Sequence, residues 1–203
     1  MRIGLLADLH ANREAVEACL DALREAGCTR WVFLGDLVGY GADPGWVVDC
    51  VRDHVEVGAH AVLGNHDEAA LAAGSAPMHG EAEAAMAWTR TRLDQAQKAF
   101  LGGLPLTIHD EDRFYAHANA WDPGGWAYVH NRLAAARSLS ATRERLSFCV
   151  HLLCMLRVAR SWVRTATTSS GVRALLRGDR RFYEEMRARH AMAEDLDLWC
   201  RVE

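Results

Sequence analysis

Three short apolar segments in the first 64 residues constrain the fold more than any other feature of this sequence. They read IGLLA, WVFLG and HAVLG and occupy residues 3–7, 31–35 and 60–64. Each is too continuously apolar for a strand that has one face in water, and amphipathic stretches separate them. This alternation predicts an α/β fold in which consecutive parallel strands are joined by helices.

The helices between these strands have recognisable ends. Asn12 can cap a helix that runs to about residue 26, where Gly27 stops it. Asp43 and Pro44 are typical of the cap and first residue of a second helix, which ends near residue 55. Further along, the patterns predict a long helix, a β-hairpin, another helix and a last strand, at residues 81–101, 106–118, 128–139 and 146–151.

Length and composition predict a single domain without a nucleic-acid or membrane partner. The chain has 203 residues, enough for one substantial core, and its net charge of −4 does not favour binding to polyanions. No segment has the apolar length of a membrane span, and Asp8 follows the N-terminal apolar run too early for a signal peptide. We therefore expect a cytoplasmic protein. The six cysteines form no C-x-x-C pair, which argues against a zinc–thiolate site or a disulfide framework.

Each of the three predicted strands ends in side chains that can bind metals or transfer protons. These residues are Asp8 and His10 after the first strand, Asp36 after the second, and Asn65, His66 and Asp67 after the third. Because the carboxyl ends of parallel strands face one crevice, we expect these side chains to converge. Any one of the motifs alone is more often a turn or a cap. Their shared position favours a divalent transition metal bound by oxygen and imidazole ligands.

The same motifs resemble those of the calcineurin-like metallophosphoesterases. That family has D-x-H, G-D, G-N-H-[DE], a lone histidine after a strand, and G-H-x-H, in this order. Here the first three read DLH at residues 8–10, GDLVGYG at residues 35–41 and GNHD at residues 64–67, and the lone histidine is His117 in FYAHANAWDP. The resemblance covers residues 1–148, and the GDLVGYGADP stretch is similar to the bacterial single-domain branch of the family. The resemblance implies a four-layer α/β/β/α sandwich.

The resemblance implies a site for two divalent metal ions. Asp8 and His10 would bind the first ion, Asn65 and His117 the second, and the carboxylate of Asp36 would bridge both. Manganese is the first expectation, with iron, nickel or zinc as alternatives. No other cofactor is expected.

The implied reaction is the hydrolysis of a small phosphomonoester or phosphodiester by a metal-bound hydroxide. His66 would act on the leaving oxygen as a general acid or as a positive clamp. Asp67 would orient the His66 ring. The physiological substrate and the oligomeric state are not indicated by these motifs.

The resemblance ends near Cys149. Where the family has G-H-x-H, this chain has Val150, His151, Leu152 and Leu153, so His151 takes the place of the first histidine and Leu153 that of the second. Residues 149–203 also differ in composition, with ten of the 22 arginines, two of the 16 glycines and none of the four prolines. Because tight turns need glycine or proline, we predict a mostly helical tail and a C-terminal part that is incomplete or rearranged.

Two explanations of this change stay open. One is true divergence, which leaves the first metal with Asp8, His10 and Asp36. The other is a changed reading frame near residue 149, which we favour because metal, turn and strand features disappear together. The gene read in the other two frames decides between them, since a frame change requires an encoded G-H-x-H.

Either explanation weakens the first metal position. We expect one ion to bind firmly, a second to bind weakly, and hydrolysis to be slow. The rival hypothesis, which Leu153 supports, is a phosphoesterase-like binding or regulatory protein without turnover.

Three aromatic residues lie near these motifs. Tyr40 lies in the loop after Asp36, where it can border the cleft. Trp121 and Trp126 follow His117 and can flank a substrate ring, although packing is the better interpretation of their position.

Overall fold

The computed structural model describes residues 2–72, 81–150 and 165–167, which form two β-sheets and six α-helices. The strands are β1 Ile3–Ala7, β2 Arg30–Phe33, β3 His60–Ala61, β4 Thr107–Asp110, β5 Arg113–Ala116, β6 Leu146–Cys149 and β7 Thr165–Thr167. The helices are α1 Arg13–Glu25, α2 Pro44–Glu56, α3 Asn65–Leu71, α4 Glu81–Arg92, α5 Gln95–Gly102 and α6 Arg132–Ser140. A 3₁₀ turn occupies Pro123–Gly125.

The first sheet contains the three strands predicted from the apolar segments. Its order is β3-β2-β1-β7, and all neighbouring strands are parallel. Strand β3 has two residues instead of the predicted five, because the Leu63 N–H donates to the carbonyl of Pro105 rather than to β2. The carboxyl ends of β1, β2 and β3 lie at one edge of the sheet, as the alternating pattern predicts.

The second sheet contains the predicted hairpin. Strands β4 and β5 are antiparallel around a turn at Glu111 and Asp112, and β6 pairs parallel with β5. Because β5 is central in this sheet, His117 follows a strand that is paired on both sides.

Four layers are formed, in the order helix, sheet, sheet, helix. Leu6 and Phe33 face helices α1 to α5, whereas Leu5 and Val32 face the second sheet in a core between the sheets. On β6, Phe148 packs against that inter-sheet core, whereas the thiol of its neighbour Cys149 contacts the hydroxyl of α6 residue Ser138. The predicted α/β/β/α sandwich is confirmed.

The first two helices form as the sequence predicts. The side chain of Asn12 accepts a hydrogen bond from the Ala15 N–H at the start of α1, and Gly27 beyond its end has a φ of 73°. Helix α2 begins at Pro44 after the cap residue Asp43, although the Asp43 side chain makes no capping hydrogen bond.

The long helix predicted at residues 81–101 is wrong, because Asp94 divides it. The Asp94 carboxylate accepts from the Gln97 N–H while the Gln97 side chain accepts from the Asp94 N–H, a reciprocal cap that begins α5. The helix expected from residue 128 begins at Arg132, where Asn131 caps it. Helix α3 was not predicted; its first residues are those of the GNHD motif.

The tail contributes one strand to the described structure. Strand β7 pairs parallel with β1, with Leu5 opposite Thr165 and Ala7 opposite Thr167. Residues 151–164 and 168–203, which include His151 and Leu153, lie outside the described residues, so the helical character of the tail and the single-domain organisation stay predictions. Within the described ranges, no helix combines the length and apolar character needed to cross a bilayer.

Candidate metal centre

The turn after β1 has an unusual backbone that directs Asp8 and His10 towards the second strand. Asp8, His10 and Ala11 have φ values of 52°, 44° and 54°, a left-handed conformation that costs free energy outside glycine. The His10 N–H donates to the carbonyl of Asp36 at 2.9 Å, and the Ala11 N–H donates to that of Leu37 at 2.9 Å. The turn is therefore held in place by the loop that follows β2.

Two glycines allow the loops after β2 and β3 to touch. A Cβ on Gly35 would lie 2.8 Å from the backbone of Gly64, and a Cβ on Gly64 would lie 2.1 Å from the backbone nitrogen of Asp36. Gly35 also has a φ of 86°. Side chains at these positions would force the loops apart, which explains why glycine precedes both Asp36 and Asn65.

Asp36 lies between two pairs of candidate ligands. Its Oδ2 is 3.9 Å from Nε2 of His10 and 3.4 Å from Nε2 of His117, and its carboxylate is almost fully buried. The His117 Nε2 is in turn 3.1 Å from Oδ1 of Asn65. On the other side, ligand atoms of Asp8, His10 and Asp36 all lie within 4.8 Å of one another.

Backbone carbonyls determine which nitrogen of each histidine faces this centre. Nδ1 of His117 is 2.7 Å from the carbonyl oxygen of Leu34, and Nδ1 of His10 is 3.2 Å from that of Val38. A carbonyl only accepts, so each Nδ1 carries the proton that it donates. In the neutral rings the Nε2 lone pairs therefore point to the oxygens of the centre, an arrangement that suits a bound cation.

The electrostatics of the centre also suit cations. The pKa values of Asp8 and Asp36 are each raised to about 7, mainly by burial; at Asp8 the nearby carboxylate of Asp36 contributes to the rise and His117 opposes it. Burial lowers the pKa of His10 to about 4, so its imidazole is neutral at neutral pH. A divalent cation would favour ionised carboxylates beside a neutral imidazole, and the residues present fit a metal centre.

His66 lies at the first turn of α3, with its ring inside the site. The ring centroid is 4.8 Å from that of His10, and 9% of the residue is exposed. A Cβ on Gly39 would lie 2.6 Å from Nδ1 of His66, so the loop after β2 passes closely over the imidazole. The backbone N–H of His66 donates to Oδ1 of Asp36 at 2.8 Å, which ties the ring position to the central carboxylate.

Asp67 accepts three backbone hydrogen bonds. Its Oδ1 accepts from the N–H groups of Leu37 and Val38 at 2.8 and 3.1 Å, and its Oδ2 accepts from that of Gly64 at 3.0 Å. Burial raises the pKa of this carboxyl to about 7, and the N–H donors oppose that increase. Asp67 thus links the loop after β2 to the start of α3; its predicted effect on the His66 ring stays a prediction.

The structure brings together Asp8, His10, Asp36, Asn65, His66, Asp67 and His117, while their roles as ligands or catalysts remain predictions. His151 lies outside the described residues. Its neighbour Val150 is buried in the inter-sheet core, and the Val150 N–H donates to the carbonyl of His117 at 2.9 Å. The chain therefore passes directly beside the centre just before His151.

Aromatic residues at the site were only partly recognised in the sequence. Tyr40 borders the site, because its ring centroid is 4.9 Å from that of His10 and 4.8 Å from that of His66. The Trp126 ring centroid is 6.0 Å from that of His117, whereas Trp121 lies against the guanidinium of Arg137. No spacing signal distinguishes the two tryptophans, which come from one irregular loop.

Comparisons with known proteins agree with this geometry. The family model described as calcineurin-like phosphoesterase matches residues 1–151, so the chain belongs to that family. It is 33% identical over 132 residues to the uncharacterised protein MJ0912 of Methanocaldococcus jannaschii, an alignment that covers 63% of this chain and 53% of that protein. It is also similar to the crystal structure of a metallophosphoesterase from Sphaerobacter thermophilus, with 34% identity and a TM-score of 0.63, over 73% of this chain and 59% of the other. The chain thus spans little more than half the length of these two relatives.

Proposed function

We propose that this protein is a metal-dependent phosphoesterase that hydrolyses small phosphomonoesters or phosphodiesters. The observation that carries the proposal is the position of Asp36, whose Oδ2 has a histidine Nε2 on each side, at 3.9 and 3.4 Å. Membership of the calcineurin-like phosphoesterase family supports the same conclusion. Divalent ions bound here would activate water as a nucleophile and neutralise charge on the phosphate oxygens.

The residues of the chain have distinct roles in this proposal. Asp8 and His10 bind one ion, Asn65 and His117 bind a second, and Asp36 contributes to both. We infer that manganese is the first choice, because carboxylate, amide and imidazole ligands suit it, and that the ion at Asp8 binds more weakly. His66, whose backbone bonds to Asp36, donates a proton to the leaving oxygen or stabilises its charge. A cytoplasmic location stays a prediction.

Turnover of a chromogenic ester tests this function. Mn²⁺-loaded protein should hydrolyse bis(4-nitrophenyl) phosphate or 4-nitrophenyl phosphate, and His66→Ala should reduce turnover by about 100-fold or more. His130→Ala is the matched control, because His130 is exposed and lies outside the site. Absence of turnover with manganese, iron, nickel and zinc would contradict the proposal and favour the binding or regulatory protein to which Leu153 points.

A further inference from the structure

Two partly exposed aromatic rings border the proposed metal centre at opposite ends of its ligand series. Tyr40 contacts His10 and His66, with ring centroids 4.9 and 4.8 Å apart. Trp126 lies beside His117, with ring centroids 6.0 Å apart. Since Asp36 is between His10 and His117, the two aromatic residues lie beside opposite ends of the candidate ligand series.

Both aromatic residues have a backbone conformation that bulky side chains rarely adopt. Tyr40 has a φ of 61° and Trp126 a φ of 54°. Strain of this kind is concentrated at ligand-binding sites, because it persists only where surrounding structure imposes it. Seven non-glycine residues in the described part of the chain have positive φ, and all except Glu111 of the hairpin turn belong to the site region. These six are Asp8, His10, Ala11, Asp36, Tyr40 and Trp126.

A hydrogen bond to α3 determines the orientation of Trp126. Its indole Nε1–H donates to Oε2 of Glu68 at 2.7 Å. Glu68 is exposed and directly follows Asp67, so the same short helix carries His66 and the anchor of Trp126. Trp121 in the same loop instead lies under the guanidinium of Arg137, at 4.8 Å. The loop therefore directs only one of its two tryptophans to the centre.

We propose that Tyr40 and Trp126 are specificity-determining residues that bind a flat aromatic ring in the organic part of the phosphate ester, as in a nucleoside phosphate. This proposal rests on the proposed function, because the phosphate at the metal centre brings the rest of the ester to its borders. Aromatic side chains stack on a flat ring and gain from excluding water, whereas a ring-free alcohol offers them no such contact. Glu68 is a positioning residue that holds the Trp126 ring at the centre.

A pair of substrates that differ only in the ring tests this proposal. Adenosine 5′-monophosphate and ribose 5-phosphate have the same phosphate on the same sugar hydroxyl. With Mn²⁺-loaded protein, we expect kcat/KM to be about tenfold higher for the nucleotide, since stacking of one base on an aromatic side chain is worth a factor of about 5 to 150. Trp126→Ala and Tyr40→Ala should each reduce this preference through KM, because kcat/KM for adenosine 5′-monophosphate should fall by a larger factor than kcat/KM for ribose 5-phosphate.

Two further variants separate recognition from structural support. Trp121→Ala is the matched control, from the same loop, and should keep the preference. Glu68→Ala should weaken it, while Trp126→Phe should retain part of it. Equal values for the two substrates in the unaltered protein, or an equal loss for both in Trp126→Ala, would overturn the proposal.

Equilibrium binding distinguishes failure of this proposal from failure of the proposed function. Calorimetry on Mn²⁺-loaded protein should give a lower Kd for adenosine 5′-monophosphate than for ribose 5-phosphate, and Trp126→Ala should remove the difference. If the nucleotide binds more tightly and Trp126→Ala removes the difference, but the protein has no turnover, ring recognition is supported and the phosphoesterase function is contradicted. Equal affinities, or no binding of either compound, would contradict ring recognition.

Discussion

At the scale of single residues, the two site histidines on either side of Asp36 are held in the same manner. Each Nδ1–H of His10 and His117 donates to a main-chain carbonyl from the end of β2 or the loop after it. Each Nε2 consequently faces the carboxylate of Asp36, which lies at the centre of the ligand series. A backbone hydrogen bond specifies ring orientation more firmly than a flexible side chain would, so the two imidazoles are oriented as metal binding would require.

Removal of the charge on Asp36 should affect both metal positions. We expect Asp36→Asn to lower metal affinity by more than about tenfold and to abolish measurable turnover, since changes in mere supporting residues already cost 10- to 100-fold. The metal-free variant should not unfold at a lower temperature, because the substitution removes a buried charge and keeps an oxygen for the His66 N–H. Calorimetric titration with Mn²⁺ and thermal unfolding measure these effects.

The control for this variant is Asp53→Asn, which changes an exposed carboxylate on α2. It should titrate like the unaltered protein. Unchanged metal affinity in Asp36→Asn would contradict the central position of this residue.

At the scale of elements, α3 is the structural feature that assembles the centre. It is a helix of seven residues that begins with Asn65 and His66, and Asp67 ties it to the loop after β2. Glycines at residues 35 and 64 let the two connections approach to a distance that no side chain allows. Four consecutive residues, G-N-H-D, thus have three functions. Gly64 allows the close backbone contact, Asn65 and His66 are the candidate ligand and acid, and Asp67 is the brace that ties α3 to the loop after β2.

Loss of the Asp67 carboxylate should lower the free energy of unfolding more than loss of an ordinary helix cap. Asp67→Ala leaves the buried N–H groups of Leu37, Val38 and Gly64 without their carboxylate acceptor, at about 1–3 kcal/mol for each unsatisfied group. We expect the free energy of unfolding to fall by about 3 kcal/mol or more, as measured by urea denaturation. Asp94→Ala removes the cap of α5 and should cost only about 1 kcal/mol. A loss at Asp67 no larger than at Asp94 would show that the three hydrogen bonds do not stabilise the fold.

At the scale of the whole molecule, the two sheets meet so that each contributes to the same centre. Strands β1, β2 and β3 deliver their polar ends from the first sheet, and β5 delivers His117 from the second. The inter-sheet core, which includes Tyr115 and Val150, fixes the distance between these contributions. Buried carboxylates collected in this way destabilise the metal-free protein, since their charged forms are removed from water.

Stability of the metal-free protein should therefore decrease as pH rises from about 4 to 7. Asp8, Asp36 and Asp67 have pKa values raised to about 7 in the folded state, against about 4 when unfolded, so the folded protein binds more protons in this interval. His10 acts in the opposite direction, because its pKa is lowered to about 4, but one imidazole opposes three carboxyl groups. Thermal unfolding at several pH values with a chelator measures the trend.

Manganese should reverse this dependence. A bound cation favours the ionised carboxylates, so the rise in Tm on adding Mn²⁺ should be larger at pH 8 than at pH 5. The Asp36→Asn variant should show a flatter pH profile without metal. An increase in the Tm of the metal-free protein between pH 5 and 7 would contradict the assignment of raised pKa values.

Periodicity and local capping residues in the sequence were sufficient for most elements. The apolar runs predicted β1, β2 and the hairpin, and Asn12 and Pro44 predicted the starts of α1 and α2, since these features act within a few residues. The same local signals failed at Asp94 and at α3. The reciprocal bonds of Asp94 and Gln97 interrupt an apolar pattern that continues across them, and α3 is stabilised by contacts of Asp67 with a distant loop.

The sequence by itself determined which side chains are available for the site, because polar residues recur where buried strands end and parallel strands share one edge. Only the tertiary structure decided their geometry: that Asp36 lies between two imidazoles, that Asp67 braces two loops, and that Trp126 faces the centre while Trp121 does not. These arrangements depend on contacts between residues far apart in the sequence, such as that of Asp67 with Leu37, 30 positions away, and that of His117 with Leu34, 83 positions away. Contacts over such separations are specified by the packing of whole elements, which the local sequence pattern does not encode.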